Sequence, residues 1–290
     1  VTELYQRIQA FYDGSSALWE QTWGEHMHHG YYGPQGTHRK QQQQAQGDLI
    51  EALLAWGQVS QAQNILDAGC GIGGSALVLG DRYGAQVVGL TLSPVQAARA
   101  QARAEEAGLS DGPSGHRVTF QVADVLHTPF EDERFDLIWS LESGEHYPDK
   151  AQFFHESYRL LKPGGQLLMA TWCHRPTQSL AGPLTWGETQ QLAWLYRLYH
   201  LPYVLSLPDY RALAQEQGFH AIQTADWSDA VAPFWDAVIA SLGQWQAIAG
   251  VLTAGWPTLQ GVPALFLMQH GFASGLIRYG VLSARKPPSP

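Results

Sequence analysis

Ile65-Leu66-Asp67-Ala68-Gly69-Cys70-Gly71-Ile72-Gly73-Gly74 runs from an apolar strand into a glycine-rich turn. A helical pattern over 74–83 follows. Such a strand–turn–helix places bare backbone against a ligand, because glycines accept tight φ/ψ values and carry no Cβ. The helix N-terminus beyond the turn favours negative charge. Gly69, Gly71 and Gly73 form one register. Gly69, Gly71 and Gly74 also satisfy G-x-G-x-x-G, the dinucleotide fingerprint. The glycines alone therefore leave a nicotinamide-dependent oxidoreductase open.

Outward from this turn the chain alternates strand and helix. Strands are expected at 64–67, 86–90, 118–122, 135–140 and 166–172. Residues 135–140 are nearly all apolar, as a strand buried on both faces should be. Ser93-Pro94 starts a helix with an N-cap and a proline at its first position. A further helix is expected at 151–161, with Lys162-Pro163-Gly164-Gly165 as a turn. Pro208-Asp209 begins a helix that Gly218 ends, and 219–224 and 277–284 supply a sixth and a seventh strand. The alternation predicts an α/β fold with a doubly wound, Rossmann-like parallel sheet of seven strands. Upstream, 39–56 reads as a helix with Leu49, Ile50, Leu53 and Leu54 at helical spacing.

Four parts follow: an N-terminal helical segment (1–60) closing over the cofactor, a ligand-binding core (61–172), helical insertions (173–207 and 228–275), and the pieces completing the sheet (208–227 and 276–290). The insertions are rich in Trp, Tyr, Phe and Leu. They read either as extra core or as a lid over an apolar substrate, since segments after the carboxyl ends of strands overlie the ligand crevice.

The bulk numbers bound the function. The chain has 290 residues, 45% of them hydrophobic, enough for a sizeable core. A net charge of -9 repels phosphate backbones, which argues against a nucleic-acid partner. Cys70 and Cys173 show no metal-ligand spacing, and a reducing compartment suits them. The longest apolar run, 262–268, is far shorter than the roughly 20 residues of a membrane helix. Val1-Thr2-Glu3 is polar and acidic, unlike a signal or transit peptide, and the missing initiator Met leaves targeting open.

Asp67 stands two residues before the first glycine, and that run resembles motif I of class I methyltransferases. Ala123-Asp124 after the third strand, 135–140, and Leu160-Leu161-Lys162-Pro163-Gly164-Gly165 resemble the later motifs of that family, in the right order. The resemblance implies S-adenosylmethionine as cofactor and S-adenosylhomocysteine as product. It implies that Asp67 holds the methionine amino group and Asp124 the adenine amino group. The cofactor contacts it implies are Tyr31, Asp67, Gly69, Cys70, Gly71, Gly73, Thr91, Leu92, Gln96, Asp124, Val125 and Ser140. One departure stands out. Where the family carries an acid for the ribose at the end of strand two, this chain reads Gly89-Leu90-Thr91-Leu92-Ser93-Pro94-Val95-Gln96. Only the Thr91 hydroxyl and Gln96 are available there, and Ser93 serves equally as a helix cap.

Phe11-Tyr12-Asp13, the run from Leu18 to Tyr32 containing Glu25-His26-Met27-His28-His29-Gly30-Tyr31-Tyr32, Leu90 to Gln96, and Leu141-Glu142-Ser143-Gly144-Glu145-His146-Tyr147-Pro148-Asp149-Lys150 resemble the γ-tocopherol methyltransferases of photosynthetic organisms. The resemblance spans nearly the whole chain, including 275–287. A related branch holds plant indole-alkaloid N-methyltransferases, so an amine acceptor is the alternative. A catalytically silent binding protein is another. The Gln-rich, Lys-poor composition suits a cyanobacterial-type member, placed in the cytoplasm or on a photosynthetic membrane, or in a plastid if from a plant or alga.

The resemblance implies methylation of a chromanol ring carbon, converting γ- to α-tocopherol and δ- to β-tocopherol. Aromatic carbon is a weak nucleophile until the neighbouring phenol gives up its proton. The enzyme needs orientation and a group for that proton. His suits the task near neutral pH. His146 is the first candidate, Glu142 its partner or a substrate hydrogen-bond acceptor, and His29 a further one. His26, His28 and His29 lack the carboxylate or cysteine companions of a metal site, so no metal is expected. The eleven tryptophans suit a pocket for an isoprenoid tail or an ordinary core. A prenyl-tailed phenol resides in membranes, so peripheral lipid contact through the inserted helices is expected.

Overall fold

The computed structural model describes residues 2–110, 117–242 and 256–289. Seven strands form one sheet in the order β3-β2-β1-β4-β5-β7-β6. Strands β1 (Asn64–Ala68), β2 (Gln86–Thr91), β3 (Arg117–Val122), β4 (Phe135–Leu141) and β5 (Leu161–His174) run parallel. β4 lies at the centre, and all but one of its residues are buried. Helices α3 (Gly74–Tyr83), α4 (Pro94–Glu106), α5 (Lys150–Leu160) and α7 (Leu207–Gln217) make the crossovers. α4 starts as its sequence dictates: Ser93 Oγ accepts the Gln96 N–H at 3.0 Å, and Pro94 occupies the first turn.

Two departures from expectation concern β5 and β7. β7 (Ile277–Arg285) is antiparallel to both β5 and β6 (His220–Asp226), so the sheet is mixed. The alternation of strand and helix does not encode the direction of a strand inserted between two others. The Lys162–Gly165 turn lies within β5, which begins at Leu161 opposite Phe135 and resumes regular pairing at Gln166. Gly164, at φ 79°, absorbs that irregularity.

Helix α2 (Gln42–Trp56) buries Leu49, Ile50, Leu53 and Leu54 on the sheet side. The first insertion contributes α6 (Trp186–Leu198), closed by a Thr185/Glu188 capping box. The second contributes α8 (Ser228–Val231), α9 (Pro233–Leu242) and α10 (Trp256–Ser274); residues 243–255 of that insertion lie outside the described residues. Helix α1 (Thr2–Trp23) lies across α4 on polar contacts. Asp13 accepts from Ser93, Gln96 Nε2 donates to Ser16 Oγ at 3.2 Å, and Arg99 pairs with Glu20 at 2.7 Å.

Strand order reverses between β1 and β4, so a crevice opens at their carboxyl ends. α1 roofs that crevice.

Candidate active site

The crevice has a cavity volume of about 130 Å³. Asp67, Gly69, Cys70 and Gly71 from the β1 turn form its floor, with Thr91, Leu92 and Gln96 after β2 and Asp124 and Val125 after β3. Gly69 has φ 86°, and a Cβ there would run into Ser143. The bare backbone of this turn is therefore a steric requirement.

Asp67 is 2% exposed, and its Oδ2 has no hydrogen-bond partner. Burial pushes its carboxyl up to about 7, against the opposing pull of the Ala76 N–H. A buried, unpaired carboxylate oxygen is costly and calls for a cation. The ammonium of a methionine moiety fits this need, so the residues present fit the expected cofactor.

Three expected contacts stand apart from the crevice. Gly73 packs behind it: a Cβ there would come within 2.7 Å of the Phe120 ring, so its role is close approach of helix to sheet. Ser140 is fully buried and bonded to Ser143 Oγ at 2.9 Å. Tyr31 packs on the Trp227 ring at 5.2 Å, just ahead of the second insertion. At β2, Thr91 Oγ1 donates to Gln96 Oε1 at 2.8 Å and accepts the Ser93 N–H. Ser93 Oγ donates to a carboxylate of α1, Asp13, which is not among the residues lining the crevice.

The N-terminal segment was expected over the cofactor; the α1 side chains that wall the crevice were not singled out. Tyr5, Ile8, Gln9 and Tyr12 face the crevice. Their spacing of three, one and three residues marks one helix face, which was the available signal. Tyr5 Oη donates to Asp124 Oδ2 at 3.0 Å, and the Leu126 N–H to its Oδ1 at 2.9 Å.

A second cavity, of about 60 Å³, adjoins the first. Phe11, Trp172, Tyr199, Leu201, Phe234 and Trp235 give it an apolar lining. Tyr12, Met27, His28, Glu142 and His146 line both cavities and form the passage between them. Among the described residues no group of three His, Cys, Asp or Glu side chains is arranged to hold a metal.

Glu142 is the fixed charge of the passage. Its backbone has φ 51°, unusual for a residue with a side chain and a mark of local strain. Its carboxylate receives four donors: His29 N–H and Nδ1 at 2.8 Å each, Tyr279 Oη at 2.8 Å and Trp172 Nε1 at 3.3 Å. Burial works against the charge, but His29 holds Glu142 below the ordinary carboxylate range. His29, expected as a catalytic candidate, lines the second cavity; its Nδ1 is committed to Glu142 and its Nε2 has no partner.

His146 Nε2 lies 2.8 Å from the Tyr12 hydroxyl, and its Nδ1 is buried without a partner. Burial, then the Lys150 charge, pushes it down to about 3, so the ring is neutral. His28 gives Nδ1 to the His29 carbonyl at 2.8 Å, and burial lowers its basicity too. Glu145, on the turn Gly144–His146, behaves oppositely to Glu142. It accepts the Thr171 hydroxyl at 2.9 Å, and burial, then the Glu142 charge, pushes it up to about 8. Lys150 Nζ braces the turn through the carbonyls of Gly144, Glu145 and Tyr147 at 2.7–3.0 Å.

The arrangement provides one cavity for a cationic nucleoside, one for an apolar acceptor, and a narrow polar passage between. Comparison with known proteins agrees. Residues 66–169 match the family described as "Methyltransferase domain". The chain is 43% identical to the probable chloroplastic tocopherol O-methyltransferase of Oryza sativa subsp. japonica, over 98% of this chain and 79% of that protein. It is 40% identical to the chloroplastic tocopherol O-methyltransferase of Arabidopsis thaliana, over 98% and 83%. Among solved structures, a putative sarcosine dimethylglycine methyltransferase from Galdieria sulphuraria superposes with a TM-score of 0.78 at 28% identity, covering 95% of this chain and 98% of that one.

Proposed function

From the premise that the chain belongs to the tocopherol methyltransferase family of S-adenosylmethionine-dependent enzymes, we propose that it methylates the ring carbon beside the phenol of γ-tocopherol, giving α-tocopherol, and likewise converts δ- to β-tocopherol. The observation that carries this reading is the pair of cavities joined through Tyr12, Met27, His28, Glu142 and His146. S-adenosylmethionine supplies an electrophilic sulfonium methyl group when bound.

The residues divide the work. Asp67 holds the amino group, and Asp124 the adenine side. The β1 turn admits the donor to within backbone contact. Glu142, kept ionised by its four donors, sets a negative charge at the passage where the sulfonium cation is needed. His146 and Tyr12, bonded to each other at the passage, position the acceptor ring against the donor. Phe11, Trp172, Tyr199 and Trp235 exclude water and receive the chromanol ring and the start of its tail.

No helix among the described residues is long and apolar enough to cross a membrane. α6, whose Tyr199 cap lines the acceptor cavity, exposes Trp186 and Trp194 on its outer side, and Leu180 and Phe266 are exposed beside it in the insertions. This face is the one we assign to peripheral contact with the lipid that carries the acceptor.

The test is methyl transfer from labelled S-adenosylmethionine to γ-tocopherol, with the product position read by NMR. α-Tocopherol is expected. A methyl ether, or turnover of an indole-alkaloid amine with none of either tocopherol, overturns the reading.

A further inference from the structure

We propose that Glu145 is the group that takes the phenol proton of the acceptor, and that its position directs methylation to carbon. The inference rests on the phenolic acceptor proposed above.

Glu145 and Glu142 stand three residues apart, but only Glu142 lines both cavities. Glu145 lines the acceptor cavity alone, set back from the passage. Glu142 has no capacity to spare, since two N–H groups, an indole and a phenol already saturate its oxygens. Glu145 receives the Thr171 hydroxyl and its own backbone N–H. It is 2% exposed and is the acceptor-cavity carboxyl with capacity left for a ligand.

Each neighbouring element presents titratable groups to it. Glu142, His146 and Lys150 lie on its own loop and on α5. Tyr12 approaches from α1, His28 and His29 from the following loop, and Tyr199 from the end of α6. Cys173 of β5, Tyr210 of α7 and Tyr279 of β7 close the far side. The four tyrosines and the thiol are raised by burial and stay neutral. His28 and His146 are held neutral as well. A histidine that releases its proton near 3 is a poor acceptor for a phenol, whose own value is about 10. A carboxyl near 8 is far better matched.

The placement also selects the atom. A phenol oxygen directed at Glu145 is held away from the passage, and the adjacent ring carbon is the atom that reaches it. The O–H bond breaks and its proton passes to the Glu145 carboxylate. The oxygen's electron pair feeds the ring, and the ortho carbon forms its bond to the methyl as the S–CH3 bond breaks, leaving the pair on sulfur. The ring proton at that carbon leaves to water, aromaticity returns, and Glu145 gives its proton back to oxygen. One proton is released per methyl transferred.

The experiment compares wild type, Glu145→Gln and Glu145→Ala on γ-tocopherol from pH 6 to 10. Wild-type kcat should rise through about pH 8 to a plateau, because the accepting form is the carboxylate. Glu145→Gln should lose about 100-fold in kcat, with KM changed less than about threefold, and should lack that limb. Formate should restore part of the activity of Glu145→Ala, which a merely structural role does not allow. In infrared difference spectra a protonated-carboxyl band should titrate near pH 8 in wild type and be absent from Glu145→Gln. If wild type turns over no tocopherol, the acceptor reading falls and this role with it. If wild type is active and Glu145→Gln keeps the limb or stays within threefold in kcat, the Glu145 role alone is overturned.

Discussion

Tyr12 and His146 are 134 positions apart, yet the tyrosine hydroxyl sits 2.8 Å from His146 Nε2. This bond ties the roofing helix to the turn after β4 at the passage between the two cavities. Tyr12→Phe removes the bond and leaves the ring. A net hydrogen bond of about 1 kcal/mol corresponds to a roughly fivefold rise in the open population of α1. Hydrogen exchange over residues 2–16 should speed by that factor, while affinity for S-adenosylhomocysteine changes little. Unchanged exchange would show that the bond does not hold the roof.

Asp67→Asn should separate binding from stability. The unpaired carboxylate oxygen is there for a cation, so the variant should lose about 100-fold in affinity for S-adenosylhomocysteine by calorimetry. The folded value near 7 lies above the ordinary 3.8. The group therefore favours folding at low pH, and that contribution is lost as pH rises from 3.8 through 7. At pH 8 the ligand-free variant should melt higher than ligand-free wild type. Binding has the opposite sign: wild-type affinity should weaken as pH falls below 7, because the carboxylate is the form that holds an ammonium.

Glu142→Gln should be costly in both respects. The amide keeps an acceptor oxygen but sets an NH2 against donors that now lack a partner, a penalty of about 1–3 kcal/mol. A carboxyl held below its ordinary 4.5 adds stability that is complete above that value and is lost as pH falls through the depressed one. The variant's stability should thus fall less between pH 7 and pH 4 than the wild type's. Chemical denaturation at pH 4 and pH 7 reads the difference, and equal losses at both would remove Glu142 as the source.

The double variant Trp186→Ser/Trp194→Ser should reduce sedimentation with vesicles of neutral galactolipid by about tenfold, while turnover of a short-chain chromanol in solution stays near wild type. Unreduced sedimentation moves lipid contact to another face.

The core of the site was legible because its chemistry is local. Asp67, Gly69 and Gly71 occupy one strand–turn–helix, and Asp124 follows one strand end, so the resemblance to the family's local motifs could point to them. Gly73 and Ser140 fall in the same motifs but turn into packing, which depends on Phe120 and Ser143 from other elements. Tyr31 was claimed by Trp227, which follows β6 and whose approach no local pattern encodes. The contrast between Glu142 and Glu145 was invisible for the same reason. Donors from the N-terminal loop, β5 and β7 converge on one and pass by the other. The direction of β7 likewise depends on where it enters the sheet.

α1 covers both cavities at once, through Tyr5, Ile8 and Gln9 on one side, Phe11 on the other and Tyr12 between. Its grip on α4 is built of Asp13, Ser16 and Glu20 contacts that water can replace. A single lifting of this helix therefore unseals the donor and the acceptor together. Spent donor and methylated product would then leave in the same event, released by the movement of one helix of twenty-two residues.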